Sequence, residues 1–368
     1  MVTVDERNTS FGYLAPMPKR HRPGATATSV VAHIEEIVLA TSGEDAFELV
    51  MGVAAARVVG KTRATASSIR RVARAHPELD ITLPRTGGND TDALIARVDA
   101  LLEGALAGGD SRLQALDAVF ESLVPRVAKG DKGQFFTPRH VVDFVMKALA
   151  PCARDVVVDP ACGSGAFLAH ARAEGATKTY GSDVDPRALR VARLVALAQG
   201  RDPKTLVRAD GLHGRALPEA SIVATNPPFA GRADASGFEV GDLVRTPERD
   251  VLFLERAIDL LRPGGRLGIV LPYNKAAGTA FAELRRWLVE RARIYAVVGL
   301  PRETFMPHTS QRTFVLFAKR RAKAKANADA RTNERVMFAI SERAGKEHDL
   351  DEVLGALQPF LADEGFVS

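Results

Sequence analysis

The segment VVVDPACGSGAFL, from Val156 to Leu168, combines an apolar run, a turn of small residues and the start of a helical stretch. Glycine tolerates the dihedral angles of a tight turn and leaves room for a ligand, and the following helix presents unpaired N–H groups at its N-terminus. Asp183 follows Gly163 by 20 residues, at the end of the next apolar run. A carboxylate at that point accepts hydrogen bonds from a ribose diol. The segment therefore predicts a bound nucleoside cofactor.

The residue types within the turn distinguish between nucleoside cofactors. The dinucleotide fingerprint G-x-G-x-x-G calls for Gly or Ala where Leu168 stands. The carboxylate of Asp159 repels a pyrophosphate, but it suits the ammonium group and the sulfonium-bearing chain of S-adenosylmethionine. S-adenosylmethionine is therefore the predicted cofactor. A tight turn that binds no ligand is the alternative interpretation.

A second segment, Thr225-Asn226-Pro227-Pro228-Phe229, ends the fourth predicted strand. Ligands of open α/β sheets bind beyond the carboxyl ends of the strands. The two prolines have fixed φ angles and no N–H groups, so they hold the Asn226 side chain and the Pro227 carbonyl towards one point. Two such acceptors suit the hydrogens of an exocyclic amine, and Phe229 is able to stack on a base extruded from a duplex. A rigid surface turn with an incidental aromatic side chain is the alternative interpretation.

Strand and helix patterns alternate after Gly133, which predicts an α/β fold with a mostly parallel sheet covered by helices on both faces. The predicted strands cover residues 156–158, 178–181, 206–208, 222–224, 267–271, 294–298 and 313–317. The predicted helices between them cover residues 164–174, 186–199, 248–261 and 279–292. We expect a flexible basic arm at residues 1–24, a helical N-terminal domain at 25–130, the α/β domain at 131–320 and a short C-terminal tail at 321–368.

The composition limits the classes of protein that fit this sequence. The 368-residue chain is 46% hydrophobic, which is enough for a full core, and its formal charge of +5 suits a polyanionic partner. No apolar run approaches the roughly 20 residues of a membrane-spanning helix, and the N-terminus lacks the apolar stretch of a secretion signal. These features predict a cytoplasmic protein. The spacing of Cys152 and Cys162 and the scattered histidines predict reduced thiols and no metal site.

Together, these motifs resemble the N6-adenine DNA methyltransferase family, specifically the modification subunits of type I restriction-modification systems. The resemblance rests on the order of three segments: Gly133-Gln134-Phe135-Phe136-Thr137-Pro138, Asp159 to Phe167, and Asn226 to Phe229. It covers about residues 115–320 and includes later segments at 264–272 and 299–305. The resemblance implies the Rossmann-like fold of S-adenosylmethionine-dependent methyltransferases with a seven-stranded sheet. It also implies site-specific methylation of adenine N6 in double-stranded DNA.

The resemblance further implies roles for individual residues. Phe136, Thr137 and Pro138 line the methionine end of the cofactor, Asp183 holds its ribose, and Asp210 accepts a hydrogen bond from its adenine. The other cofactor-binding residues that it implies are Asp159, Ala161, Gly163, Gly165, Val184 and Asn226. The catalytic tetrapeptide is Asn226, Pro227, Pro228 and Phe229. Independently, residue types predict a helix start with Thr137 as the N-cap and Pro138 at the first position.

The chain also departs from the family. Only a short tail follows Phe317, whereas type I modification subunits extend further with helices that contact a specificity subunit. No target-recognition domain is visible, so we expect sequence specificity to reside in a separate subunit or to be slight. Two alternatives stay open: methylation of another planar amine, such as a protein glutamine or an RNA guanine, and a non-catalytic cofactor-binding or DNA-binding subunit of a phage-defence complex.

Overall fold

The structure is a computed structural model. It describes residues 27–84, 88–106, 116, 118–120, 122–123, 136–214, 216–229, 231–244, 247–306, 309–322, 334–344 and 347–367. The predicted basic arm, the predicted boundary at residues 130–131 and the motif residues Gly133, Gln134 and Phe135 lie outside these residues.

Four helices precede the sheet: α1 (Ala27–Ser42), α2 (Ala46–Val58), α3 (Ala66–Ala75) and α4 (Gly88–Leu106). Asp45 begins α2, because its side chain accepts a hydrogen bond from the Phe47 N–H. Thr65 begins α3 through a reciprocal capping box with Ser68. One face of α1 is apolar and buried: Val30, Ile34, Ile37 and Val38.

Eight strands form the central sheet: β1 (Val156–Asp159), β2 (Lys178–Asp183), β3 (Leu206–Arg208), β4 (Ala220–Thr225), β5 (Leu261–Pro272), β6 (Ala292–Leu300), β7 (Thr313–Arg320) and β8 (Met337–Ile340). Their order is β3-β2-β1-β4-β5-β7-β6-β8. β7 is antiparallel to β5 and β6, and the other neighbouring pairs are parallel. All seven predicted strands are confirmed. The parallel strands end at one edge of the sheet, where ligands bind in this architecture.

Helices cover both faces of the sheet. Those after α4 are α5 (Arg139–Leu149), α6 (Ala166–Ala173), α7 (Pro186–Ala198), α8 (Val240–Leu243), α9 (Arg249–Leu260), α10 (Tyr273–Ala277), α11 (Ala282–Arg291) and α12 (Leu350–Asp363). One core layer combines α5, α6, α7 and α12 with the sheet, and the other combines α8, α9 and α11 with it. Within the described ranges, no helix is long and apolar enough to cross a membrane.

The N-terminal helices are fixed to α7. Arg190 donates two hydrogen bonds to the Glu48 carboxylate, each 2.7 Å long, and a third to the Leu79 carbonyl at 2.8 Å. The Phe47 ring lies beneath the guanidinium groups of Arg187 and Arg190. The distance to the ring centroid is 5.3 Å from the Cζ atom of Arg187 and 5.2 Å from the Cζ atom of Arg190. Bidentate Arg–carboxylate pairs fix geometry as well as charge. Since α7 follows β2, these contacts support the segment that carries Asp183.

The C-terminal segment differs from the predicted short tail. β8 pairs with β6 as an eighth strand, and α12 packs against α5. Leu354, Leu357 and Leu361 of α12 are buried. The prediction of a separate tail after residue 320 is therefore wrong for these residues. The reason is that apolar positions at helical spacing in α12 complete the core layer over α5.

Candidate active site

The turn between β1 and α6 places two carboxylates at the carboxyl edge of the sheet. Asp159, which ends β1, accepts a hydrogen bond from the Ala161 N–H at 3.0 Å. Asp183, which ends β2, accepts from the N–H groups of Gly163 and Asp185, both at 2.8 Å. Gly163 has a φ of 51°, and a Cβ built on it meets no atom within 4 Å. The turn therefore leaves open space between the carboxylates and the start of α6.

Burial dominates the electrostatics of these carboxylates. Only 1% of Asp159 and 6% of Asp183 is exposed. Burial raises the pKa of Asp159 to about 7; hydrogen bonds from Thr225 and Ala161 oppose this rise, and the charge of Asp183 adds to it. Burial also raises the pKa of Asp183, against hydrogen bonds from backbone N–H groups. Two buried acids whose pKa values are raised by burial favour a cationic ligand, because its charge stabilises their ionised forms.

A side-chain hydrogen bond fixes the Asn226 amide at the end of β4. Asn226 Nδ2 donates to Oγ1 of Thr137, 89 residues earlier in the chain, at 2.9 Å. Asn226 Oδ1 is buried and has no hydrogen-bond partner among the described residues. An unsatisfied buried acceptor costs about 1–3 kcal/mol. This oxygen is therefore ready to accept a hydrogen bond from a donor that enters the site.

The segment around Thr137 differs from the predicted helix start by one residue. Pro138 is the N-cap of α5, with φ −54° and ψ 139°, and Arg139 is the first helical residue. The prediction of Thr137 as the N-cap and Pro138 as the first helical residue is therefore wrong. The physical reason is the long-range contact, because the Thr137 hydroxyl pairs with Asn226 and not with the end of the helix.

Phe229 is held firmly beside the cavity. It is 4% exposed and packs edge-to-face against Phe305, with ring centroids 5.6 Å apart and an interplanar angle of 83°. Edge-to-face pairs of this kind are favourable and orient both rings. Phe305 lies in the turn that follows β6, so that turn braces the tetrapeptide from Asn226 to Phe229. The stacking of Phe229 on an extruded base stays a prediction.

These segments surround a cavity of about 690 Å³, within the usual size range of small-molecule sites. Most of the predicted site residues line it: Phe136, Thr137, Asp159, Ala161, Gly163, Asp183, Val184, Asp210, Asn226, Pro227, Pro228 and Phe229. Pro138 and Gly165 are not among the lining residues. Gly165 is instead the N-cap of α6, with a φ of 85°, and a Cβ built on it lies 3.0 Å from the Ala192 Cβ. Its role in the structure is close packing of α6 against α7.

Sequence reasoning missed several residues that also line the cavity. Those with polar or aromatic side chains outside the predicted segments include His213, Asp234, Arg249 and Phe253. Asp210 accepts hydrogen bonds from the Leu212 N–H and from the His213 ring, both at 3.0 Å, so His213 helps to orient the predicted adenine acceptor. Of these residues, only His213 has a local sequence signal, which is its position three residues after Asp210. Arg249 and Phe253 reach the cavity through the position of α9, which no local pattern encodes.

The chemistry of the lining suits an organic cation with hydroxyl groups. Asp159, Asp183 and Asp210 supply carboxylate oxygens. Across the described ranges, no group of three or more His, Cys, Asp or Glu side chains is arranged to hold a metal ion. Cys152 and Cys162 are both free thiols.

The strand order, with an antiparallel β7 between β5 and β6, defines the Rossmann-like fold of S-adenosylmethionine-dependent methyltransferases. The solved methyltransferase subunit of a type I restriction-modification system from Streptococcus thermophilus has this fold. Its TM-score is 0.61 at 21% identity, over 85% of this chain and 74% of that chain.

The chain belongs to the N-6 DNA methylase family, which matches residues 113–354. The EcoKI methylase subunit, from a type I restriction enzyme of Escherichia coli K12, is 30% identical over an alignment of 267 residues that covers 64% of this chain and 50% of that protein. A tRNA (guanine(6)-N2)-methyltransferase of Thermus thermophilus is 32% identical over 149 residues, 38% of this chain and 42% of that protein. The chain thus spans about half the length of the type I methylase subunit that it matches.

Proposed function

We propose that this protein transfers a methyl group from S-adenosylmethionine to the N6 amino group of adenine in DNA. One observation carries the proposal: Asn226 Oδ1 is a buried acceptor without a partner among the described residues, fixed at the cavity through Thr137. An exocyclic amine has the N–H donors that such an acceptor lacks. Membership of the N-6 DNA methylase family supports adenine as the base.

The cavity fits the proposed cofactor. The carboxylate of Asp183 lines the cavity, and it would hold the ribose hydroxyls as an acceptor. The buried Asp159 would face the cationic methionine end, and Asp210 would accept from the cofactor's adenine. The open space at Gly163 lets the backbone approach the ligand. Bound S-adenosylmethionine supplies an activated methyl group on its sulfonium.

Catalysis by the chain's own residues is mainly positioning. Asn226 Oδ1 and the Pro227 carbonyl accept the two hydrogens of the target amine, which favours the pyramidal nitrogen whose lone pair is directed at the methyl carbon. Phe229, braced by Phe305, packs on the extruded base. The nitrogen then loses one proton to solvent. No nucleophilic cysteine lies in the tetrapeptide, so the transfer is direct.

A separate specificity subunit is part of the proposal. Relatives of the chain are named as methylase subunits of type I restriction enzymes. We therefore propose that the protein acts on double-stranded DNA within a restriction-modification or related phage-defence system. A partner would then read the sequence, because phosphate contacts by the catalytic subunit position DNA without specifying a site.

Transfer of a labelled methyl group to duplex DNA, RNA and protein tests the proposed substrate. The protein is purified with the subunits that accompany it and incubated with labelled S-adenosylmethionine. We expect incorporation into DNA as N6-methyladenine, identified by mass spectrometry of the nucleosides. The tRNA guanine methyltransferase relative makes RNA the informative comparison. Incorporation into RNA or protein and not into DNA would contradict the proposal.

A further inference from the structure

The carboxyl edge of the sheet continues beyond the cavity over β5, β7 and β6. Pro272 at the end of β5 pairs with Thr313 at the start of β7, and Leu300 at the end of β6 pairs with the same residue. The Tyr273 N–H donates to the Arg312 carbonyl at 2.9 Å. Tyr273 and Arg312 are therefore direct neighbours, and the turn after Leu300 lies on their other side.

This edge extends past the end of β4, the strand that leads into the tetrapeptide at residues 226–229. Thr225 at the end of β4 pairs with Ile269 of β5, and β5 continues for three more residues to Pro272. At about 3.3 Å per residue, this extension reaches roughly 10 Å past the level of Thr225. The turn after β6 also contacts the tetrapeptide, through Phe305 and Phe229. This contact places the edge next to a segment that lines the cavity.

Four exposed side chains on this edge combine two large apolar or aromatic groups with two positive charges. We call them the rim: Tyr273, Arg302, Met306 and Arg312. Tyr273 is 46% exposed and Met306 is 57% exposed, and both are among the few large apolar side chains that the described residues expose. Neither Arg302 nor Arg312 forms an ion pair with a described residue. Glu303 is the exposed acid within the same turn.

We propose that the rim is a surface that binds duplex DNA beside the target base. Arg302 and Arg312 contact backbone phosphates, and Tyr273 and Met306 pack against the bases next to the position that the extruded adenine leaves. Unpaired arginines complement a polyphosphate backbone. Apolar side chains that enter a base step stabilise an opened duplex. This inference rests on the proposed function, since it takes DNA as the substrate of the neighbouring cavity.

The affinity for DNA and the dependence of that affinity on salt distinguish the contribution of the two arginines from that of Tyr273 and Met306. Each phosphate contact releases counterions, so its loss lowers the slope of log Kd against log salt concentration by about 0.9. An apolar contact releases none, so its loss weakens binding without a change in slope. Arg302→Gln and Arg312→Gln are each expected to lower the slope by about one. The double variant Tyr273→Ala/Met306→Ala is expected to weaken binding at least threefold at an unchanged slope.

The experiment measures fluorescence anisotropy of a labelled random-sequence duplex with the full chain across a salt series. Arg302→Lys keeps the charge and should keep the slope. Arg71→Gln and Leu39→Ala are matched controls, because both side chains are exposed on the N-terminal helices, and they should change neither property. Thermal unfolding shows that each variant is folded.

The outcomes distinguish the rim from the proposed function. Slopes for Arg302→Gln and Arg312→Gln equal to that of the unaltered protein would overturn the rim, and so would an absence of duplex binding by the unaltered protein. Tighter binding of an RNA hairpin with the same dependence on the rim would overturn its assignment to DNA. Rim-dependent duplex binding, together with no methylation of DNA by the protein and its copurifying subunits, would support the rim and contradict the proposed function.

Discussion

The Thr137 hydroxyl accepts a 2.9 Å hydrogen bond from the Asn226 amide and so joins the segment before α5 to the end of β4. Both residues line the same cavity. An amide donates through Nδ2 and accepts through Oδ1, so a partner for Nδ2 determines where Oδ1 points. Thr137 thus acts as a positioning residue for Asn226.

Thr137→Val removes the acceptor for Nδ2 and keeps the shape of the side chain. We expect kcat to fall about 10- to 100-fold, which corresponds to about 1.4–2.7 kcal/mol of transition-state stabilisation. The loss should appear in kcat and much less in the KM for S-adenosylmethionine, because the amide is misoriented while the cofactor site remains. Steady-state methyl transfer measures both constants. Thr137→Ser, which keeps the hydroxyl, is the control, and an unchanged kcat in Thr137→Val would contradict the positioning role.

The affinity for S-adenosylmethionine should fall as the pH drops below about 7. Burial raises the pKa of Asp159 to about 7, and a cationic ligand binds the ionised carboxylate. Below that pH, binding requires loss of a proton, so Kd rises by up to about tenfold per pH unit. Isothermal titration calorimetry from pH 5.5 to 8.5 measures the dependence. Asp159→Asn should bind weakly at every pH and lose most of this slope; an identical slope in that variant would place the responsible group elsewhere.

The same ionisation should destabilise the ligand-free protein. Because the folded-state pKa of Asp159 is raised from 3.8 to about 7, the native state holds the proton more tightly than the unfolded state. The carboxyl group of Asp159 therefore contributes its full stabilisation below about pH 4, and this contribution is lost as the pH rises through 7. Asp159→Asn should raise the Tm of the ligand-free protein at pH 8 by roughly 2–4 °C. The gain should shrink at pH 5, and a lower Tm at pH 8 would contradict this account.

The two glycines of the turn should respond differently to alanine. Gly165 has a φ of 85°, and its Cβ would lie 3.0 Å from the Ala192 Cβ. Strain and overpacking together should lower the free energy of unfolding by about 2–4 kcal/mol in Gly165→Ala. Gly163 has a φ of 51° and open space around its Cβ, so Gly163→Ala should lose about 1–2 kcal/mol. Urea denaturation compares them, and equal losses would show that packing against Ala192 is unimportant.

The strands of the sheet were predictable because their pattern is local. β1 and β4 are apolar runs buried on both faces, as in parallel sheets covered by helices. β8 was missed because it is a short edge strand. Its Phe338 and Ile340 are 76% and 75% exposed, and the Lys- and Arg-rich stretch before it gives no strand signal.

The site was predictable in its residues but not in its contacts. Local spacing indicated Asp183 and Asn226, because glycine turns and proline-stiffened loops have local signatures. The pairing of Asn226 with Thr137 joins residues 89 positions apart, and the packing of Phe229 on Phe305 depends on the strand order. Such contacts follow from topology, which no local pattern specifies.

Methyl transfer and cofactor binding by Asn226→Ala test the central claim most directly. The protein, with any copurifying subunits, is incubated with duplex DNA and deuterated S-adenosylmethionine, and the labelled N6-methyladenine is quantified by mass spectrometry. Calorimetry on the same preparation measures cofactor affinity. We predict that Asn226→Ala abolishes labelled N6-methyladenine and leaves the Kd for S-adenosylmethionine within about threefold. Full methylation by Asn226→Ala, or parallel loss of methylation and cofactor binding, would contradict the assignment of this amide to the target amine.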